Sequence, residues 1–283
     1  MSAIDDIENY KQEEIQIKDY ETGNISEAFE SLVWYVERKK KYWMLGNKSR
    51  YPEIDKKTEG YIPWSVYTIW AYSNVGKSRF SYWEVNQALI LWKKVCYFSL
   101  EEMKGIVLRN LICNRNTIRP KELFWDQELK DCFSDQFKNL YLYDSVFDIE
   151  GMERTIKRIQ PDYVFIDFIQ NVQTSQNGSA YEKMSSIAKQ TQRIAIQNKC
   201  VLVQLSQVSN SIGKQLASGD TDFISLKGAG ELFASSDVIF ILYKWDMQEF
   251  YLHVAKNKYW QAKDNFCFIP EWETSTFTLD NSY

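Results

Sequence analysis

Val66-Tyr67-Thr68-Ile69-Trp70-Ala71-Tyr72-Ser73-Asn74-Val75-Gly76-Lys77-Ser78 decides the fold: an apolar run delivers the chain to a loop ending in Gly-Lys-Ser, and a helix-compatible segment follows. Residues 71–78 fit the phosphate-cradling P-loop spacing, with Ala71 standing where glycine is usual. The pattern has a specific physical meaning. A strand ends in a tight loop whose backbone N–H groups point inward, and the helix that begins near Gly76 adds the positive end of its dipole. On this reading Ser73, Asn74, Val75, Gly76, Lys77, Ser78 and Arg79 surround a nucleoside triphosphate. Lys77 reaches the β and γ phosphates, and the Ser78 hydroxyl holds Mg²⁺. The competing reading is an ordinary strand-to-helix turn with an exposed lysine.

The chain around this motif has 283 residues, 45% of them hydrophobic, enough to bury one substantial core. No run of 18 apolar residues occurs, and acids stand near the N-terminus where a signal peptide needs bases, so a soluble, cytoplasmic protein with no membrane partner is expected. Five scattered cysteines (Cys96, Cys113, Cys132, Cys200, Cys267) never form a C-x-x-C pair, which argues against a disulfide framework or a zinc knuckle. The single histidine, His253, gives no basis for a His-rich metal site and reads as structural. Net charge is −4, without the basic signature of an obligate nucleic-acid binder. It is unevenly spread: residues 1–30 carry nine acids against Lys11 and Lys18, which leaves the remainder mildly basic.

Two regions follow from the patterning, an acidic arm over 1–46 and an ATPase-like domain over 47–283. Within the arm, Asn24-Ile25-Ser26-Glu27 offers a capping-box-like helix start, and Ile25, Phe29, Leu32 and Val36 follow at helical spacing. That face packs either on its own core or on a neighbouring subunit. Arg38-Lys39-Lys40-Lys41 reads as a solvated cap at the helix C-terminus. Beyond Tyr51, short apolar runs alternate with helical segments, the signature of an α/β domain with a mostly parallel sheet flanked by helices. Strands are expected at 65–71, 94–100, 140–143, 163–167, 201–206, 238–243 and 250–255. Helices are expected at 77–91, 101–113, 149–159 and 181–197.

Other strand ends extend the site. Tyr163-Val164-Phe165-Ile166-Asp167 is an apolar strand ending in a carboxylate, the form of a Walker B element whose Asp holds Mg²⁺. Strand tips converge on one edge of a parallel sheet, so Glu101 or Glu102, after Ser99-Leu100, is placed to orient the attacking water. Both acids would equally favour the start of a following helix. Gln207, after Leu205-Ser206, can hydrogen-bond the γ-phosphate and couple nucleotide state to the loop Val208 to Ile224, which is rich in Ser, Gly, Asn and Asp.

The order of these motifs resembles the RecA-like P-loop NTPase core of DnaB-type hexameric replicative helicases, over Tyr51 to Phe277. Ser99-Leu100-Glu101-Glu102-Met103 resembles the family's Ser-Leu-Glu-Met element, Ile166-Asp167-Phe168-Ile169-Gln170 its Ile-Asp-Tyr-Leu-Gln, and Leu205-Ser206-Gln207 its Leu-Ser-Gln. Gly228-Ala229-Gly230-Glu231-Leu232 followed by Ser236-Asp237-Val238-Ile239 is similar to its segment entering a late strand. The resemblance implies an ATP- and Mg²⁺-dependent DNA helicase that forms a ring, a hexamer in this family, on single-stranded DNA in replication. In that case Glu101 is the catalytic carboxylate, Asp167 the metal ligand and Gln207 the sensor. Loader or other replication proteins are implied as partners. The loops at 171–180 and after Gln207 would hold DNA; Lys214 and Lys227 are the cations near the second, and Asn210, Ser211 and Gln215 can grip phosphates.

The chain departs from the family in two places. Lys256-Asn257-Lys258 stands where the family has a Lys-x-Arg pair reaching the neighbouring subunit's γ-phosphate, and lysine supplies a point charge without the planar fork of arginine. Only about 45 residues precede the core, too few for the N-terminal domain of cellular relatives, so the chain resembles a viral or plasmid-borne form. The alternatives are a RecA- or RadA-like recombination or annealing ATPase, and a KaiC-like regulatory ATPase with a protein partner.

Overall fold

The computed structural model describes residues 25–123, 131, 133–208, 230–244 and 249–280. The helices are α1 (Ile25–Tyr42), α2 (Pro52–Thr58), α3 (Lys77–Ile90), α4 (Lys104–Asn116), α5 (Ile149–Ile159), α6 (Ala180–Gln197) and α7 (Gly230–Ser235). The strands are β1 (Val66–Ala71), β2 (Val95–Ser99), β3 (Leu140–Tyr143), β4 (Tyr163–Asp167), β5 (Val201–Gln207), β6 (Val238–Lys244), β7 (Phe250–Asn257), β8 (Asn265–Glu271) and β9 (Thr276–Leu279).

All nine strands form one sheet in the order β3-β2-β4-β5-β1-β6-β7-β8-β9. The pairs from β3 to β6 are parallel, and β6 to β9 add an antiparallel flank. Every residue of β1, β2 and β4 is buried, which is why those segments read as continuous apolar runs. One apolar core lies on the α3 and α4 face, with Phe80, Val85 and Leu111. The other lies on the α5 and α6 face, with Met152, Ile156, Ile187 and Ile194.

Local signals place the helices on that sheet. Asp148 caps α5 by accepting from the Gly151 N–H at 2.6 Å. Ser179 and Glu182 form a reciprocal capping box at the start of α6, whose Ile187, Ala188, Thr191, Ile194 and Ala195 face inward at helical spacing. The expected helix at 101–113 begins instead at Lys104, because Met103 is its N-cap and the Lys104 N–H is taken by Asp144. Glu101 and Glu102 therefore lie in the loop, outside the helix.

Neither β8 nor β9 is expected from the residues that form it. Pro270 lacks a ladder donor and argues against a strand, and the Trp272–Ser275 turn is polar. Tertiary packing overrides both. Phe268 and Phe277 join Tyr51, Phe80 and Phe250 in one aromatic cluster, with Tyr51–Phe268 and Phe250–Phe277 centroids each 4.8 Å apart. Tyr51 Oη also donates to the Phe277 carbonyl at 2.8 Å, fixing the chain ahead of α2 to the last strand.

α1 leaves its apolar face open: Ile25, Phe29, Leu32 and Val33 are more than half exposed. The helix is attached at its far end. Arg38, expected in a solvated cap, is buried between Trp34 and Tyr42 and donates to the Leu45 and Gly46 carbonyls, while Lys39 pairs with Glu59 at 2.8 Å. His253 is buried and bonded to Asn265 across β7 and β8, with burial lowering its pKa. Cys96, Cys113, Cys200 and Cys267 are buried free thiols, and Cys132 lies outside the described residues. No described helix is long and apolar enough to cross a membrane.

Two carboxyl groups are buried in the helices, Asp55 on α2 and Glu84 on α3. Burial pushes Glu84 up to about 8 and Asp55 up to about 6, and each is raised further by an acidic neighbour. Glu84 Oε2 has no hydrogen-bond partner. Both groups hold protons more tightly folded than unfolded, so the stability they contribute falls as pH rises from the ordinary carboxylate range through about 6 and then about 8. Thermal melts from pH 5 to 9 should therefore show a decline that Glu84→Gln reduces above pH 6; an identical decline in both proteins would contradict this account.

Candidate nucleotide-binding site

The cleft opens at the C-terminal edge of the parallel strands, where order reverses around β1. β1 runs into residues 72–76, and α3 starts at Lys77 with Gly76 as its N-cap. Asn74 (φ 63°) and Gly76 (φ 111°) both adopt left-handed backbone, which turns the chain sharply enough to aim the helix end back at the strand. At Gly76 a side chain is excluded twice, by this φ and because a Cβ would approach Trp272 at 2.9 Å. The first turn of α3 has no side-chain cap and no acid, but it carries Lys77 and Arg79. Uncapped N–H groups, the dipole and two cations together suit a polyanion.

The cleft measures about 640 Å³, and Ser73, Asn74, Gly76, Lys77, Ser78 and Arg79 line it together with Glu101 and Gln207. Val75 differs from its neighbours: its side chain is fully buried in the core, so only its backbone can face a ligand. Ala71 lies opposite Gln207 in the β1–β5 register, and the Val208 N–H donates to the Ala71 carbonyl at 2.9 Å, which sets the end of β5 beside the loop.

Lys77 and Asp167 meet at the cleft floor, Nζ to Oδ1 at 3.7 Å, with both side chains largely buried. The ammonium also lies 4.4 Å from the Phe168 ring centroid. Burial lowers the Lys77 pKa, opposed by the charges of Asp167 and Glu101. Asp167 Oδ2 accepts from the Tyr97 hydroxyl at 2.9 Å, whereas Oδ1 accepts no hydrogen bond. A buried carboxylate oxygen that accepts no hydrogen bond and faces only the Lys77 charge, beside a hydroxyl-bearing loop, fits a hard cation. Among the described residues no cluster of three or more His, Cys, Asp or Glu could hold a metal, so Asp167 and Ser78 would need waters and phosphate oxygens to complete the shell, as Mg²⁺ prefers.

The two adjacent acids differ. Glu102 accepts from the Tyr82 hydroxyl at 3.0 Å, while Glu101 is exposed to the cleft with no hydrogen bond or ion pair among the described residues. Gln170 bridges the loops after β4 and β5. Its Nε2 donates to Ser206 Oγ at 2.8 Å and to the Gln207 carbonyl at 2.9 Å, and its Oε1 accepts from the Gln207 N–H at 3.2 Å.

Lys256 and Lys258 stand elsewhere. Lys256 pairs with Ile239 and Asn257 with Val238, at the end of β6 where the chain enters from α7; Val238 in turn pairs with Tyr67, near the start of β1. The cleft is at the other end of those strands, roughly 15–20 Å away at ~3.3 Å per residue. Lys256 donates to the Phe233 carbonyl at 2.6 Å, and Lys258 pairs with Asp237 at 2.8 Å. Lys258 remains exposed, and the Asp237 hydrogen bond raises its pKa.

Several cleft residues carry little or no sequence signal. Lys244 ends β6 and donates to the Asn74 carbonyl at 3.2 Å; its only clue was a charge closing an apolar strand. Trp272, on the unpredicted β8–β9 turn, lies over Gly76 and accepts from Arg79 through its carbonyl. That turn is clamped to the segment after α4 by Arg119–Glu273 at 2.7 Å. Of the loops expected to hold DNA, the first is anchored by Gln173 against Phe147 and Ile149, and it carries no cation. The second, with Asn210, Ser211, Lys214, Gln215 and Lys227, lies outside the described residues, as do Gly228 and Ala229.

The fold is shared with solved structures at low sequence identity. One of them, an ATPase domain, superposes with a TM-score of 0.77 at 21% identity, covering 90% of this chain and 98% of that one. A DnaB-like replicative helicase, solved in a study of its interactions with primase, gives 0.70 at 21% identity over 88% of this chain and 66% of that one. A KaiC-like protein from Pyrococcus horikoshii gives 0.59 at 14% identity over 83% of this chain and 98% of that one. No curated protein matches the sequence. The family model of the DnaB-like helicase C-terminal domain matches residues 46–266, most of the sequence and all of the cleft floor, and the chain belongs to that family.

Proposed function

We propose that the chain is an ATP- and Mg²⁺-dependent motor that assembles as a ring, six-membered by resemblance, and translocates on single-stranded DNA during replication. The observation that carries this reading is a split site. Lys77, Ser78, Glu101, Asp167 and Gln207 gather at one edge of the sheet, while Lys256 and Lys258 stand at the other. Groups so separated act on one nucleotide only when they come from adjacent copies, which requires a head-to-tail assembly. The open apolar face of α1 supports the same arrangement, since it suits docking on a neighbour across the arm we assign to residues 1–46.

In the site, Lys77 neutralises the β and γ phosphates and Ser78 and Asp167 hold the cation. Glu101, with no hydrogen bond or ion pair among the described residues, orients and deprotonates water. Gln207 reads the γ-phosphate and couples its position to the loop that follows, while Gln170, bonded to the Gln207 backbone, links it to the loop after β4. A loader or another replication protein is the expected class of partner, and the cytoplasm the expected compartment.

Replacing Glu101 by Gln should lower kcat roughly 10²- to 10³-fold while nucleotide affinity stays within about twofold; a loss confined to affinity would remove Glu101 from the catalytic role. For Lys258→Ala, ATP hydrolysis with and without single-stranded DNA is the decisive comparison. The variant should lose on the order of 10²-fold of the stimulated rate, less than an arginine finger supplies, and should poison wild-type subunits when mixed with them. Absence of any DNA effect on the wild type at low salt would instead favour a regulatory ATPase with a protein partner.

A further inference from the structure

The carboxylate at the cleft floor has a second, uncharged partner. Tyr97 lies in the middle of β2 with no exposed surface, and its register partner on β4 is Phe165, two residues before Asp167. Diagonal neighbours on adjacent strands lie within reach of a long aromatic side chain. The phenol uses that reach to donate to Asp167 Oδ2 at 2.9 Å. Ser81, also fully buried, stands on the other side of this hydroxyl at 3.3 Å and donates to the Ser78 carbonyl at 2.8 Å. Each hydroxyl has one proton, which Tyr97 spends on Asp167 and Ser81 on the Ser78 carbonyl, so the two oxygens only touch and the phenol is committed to the carboxylate.

We propose that Tyr97 is a positioning residue for the divalent cation, holding Asp167 by Oδ2 so that Oδ1 alone is presented beside Lys77. This rests on the reading of Ser78 and Asp167 as cation ligands. A carboxylate free to rotate about its Cβ–Cγ bond would sweep its plane through every angle; here any rotation short of the half-turn that merely exchanges two equivalent oxygens would strand a buried phenol O–H, which is costly. The Tyr97 ring packs parallel to Phe165 at 5.9 Å and beside Tyr82 at 6.1 Å, contacts that phenylalanine would keep. The hydroxyl is thus separable from the packing.

The test is equilibrium binding of a fluorescent ATP analogue to the full chain, titrated with Mg²⁺ and repeated in excess chelator, for wild type and Tyr97→Phe, with thermal melts in parallel. The expected result is a Mg²⁺ half-saturation raised roughly tenfold, the size of one hydrogen bond to a charged group, with cation-free affinity unchanged. An unaltered Mg²⁺ requirement in a folded variant overturns the proposal, as does equal weakening with and without the cation, which marks a merely structural hydroxyl. Should Tyr97→Phe not fold, difluorotyrosine at position 97 replaces it. Its stronger donation must shift the Mg²⁺ half-saturation, and no shift overturns the assignment. Wild-type binding that ignores Mg²⁺ would overturn the cation-site reading itself, whereas a Mg²⁺-dependent wild type with an indifferent variant sinks only the role of Tyr97.

Discussion

Lys77 and Asp167 are a largely buried cation and anion 3.7 Å apart at the floor of an open cleft, and the architecture around them is what makes that juxtaposition tolerable. Neither has enough water to be stable alone, and removing one partner of such a pair typically costs about 3–5 kcal/mol. The pair demands that β4 end just below the loop that follows β1, and the parallel register through β5, which sets Ile166 level with Thr68, leaves Asp167 two residues below Ala71. It also demands that the P-loop turn back on itself, which Asn74 and Gly76 permit. Everything else in the cleft is arranged about this floor: Glu101 above it, Gln207 beside it and Tyr97 beneath it.

The antiparallel flank gives the site its outer wall and the sheet its second functional edge. β8 and β9 bring Trp272 over the loop, and β7 carries Lys256 and Lys258 away to the opposite end. Both lysines are secured by their own chain, one on backbone carbonyls and the other on Asp237, which also accepts from the Val66 N–H at 2.9 Å. The lysine edge is therefore tied to the first residue of the strand that leads into the P-loop. On the proposed function, a pull on Lys258 by a neighbour's phosphate acts directly at the base of β1.

What could be read from the residues was whatever a short stretch encodes by itself. The strand, loop and helix around Lys77, the strand ending at Asp167 and the one ending at Gln207 announce themselves through apolar runs closed by a polar residue. The family resemblance rested on those same places, and the match over residues 46–266 and the shared fold agree with it. What stayed hidden depends on contacts distant in sequence. Pro270 disguised β8, whose stability comes from aromatic packing against Tyr51 and Phe250. The start of α4 shifted because Asp144, forty residues away, takes the Lys104 N–H. Tyr97 read as one more apolar strand residue, since nothing in its neighbourhood says that its hydroxyl finds Asp167.

The most direct test is a structure of the chain with Mg²⁺ and a non-hydrolysable ATP analogue. The β-phosphate should lie within the loop of residues 73–78, with Lys77 Nζ withdrawn from Asp167 onto the phosphates and the cation between Ser78 and Asp167. A nucleotide bound elsewhere, or Lys77 and Asp167 still 3.7 Å apart with no phosphate beside them, would contradict the role given to this pair.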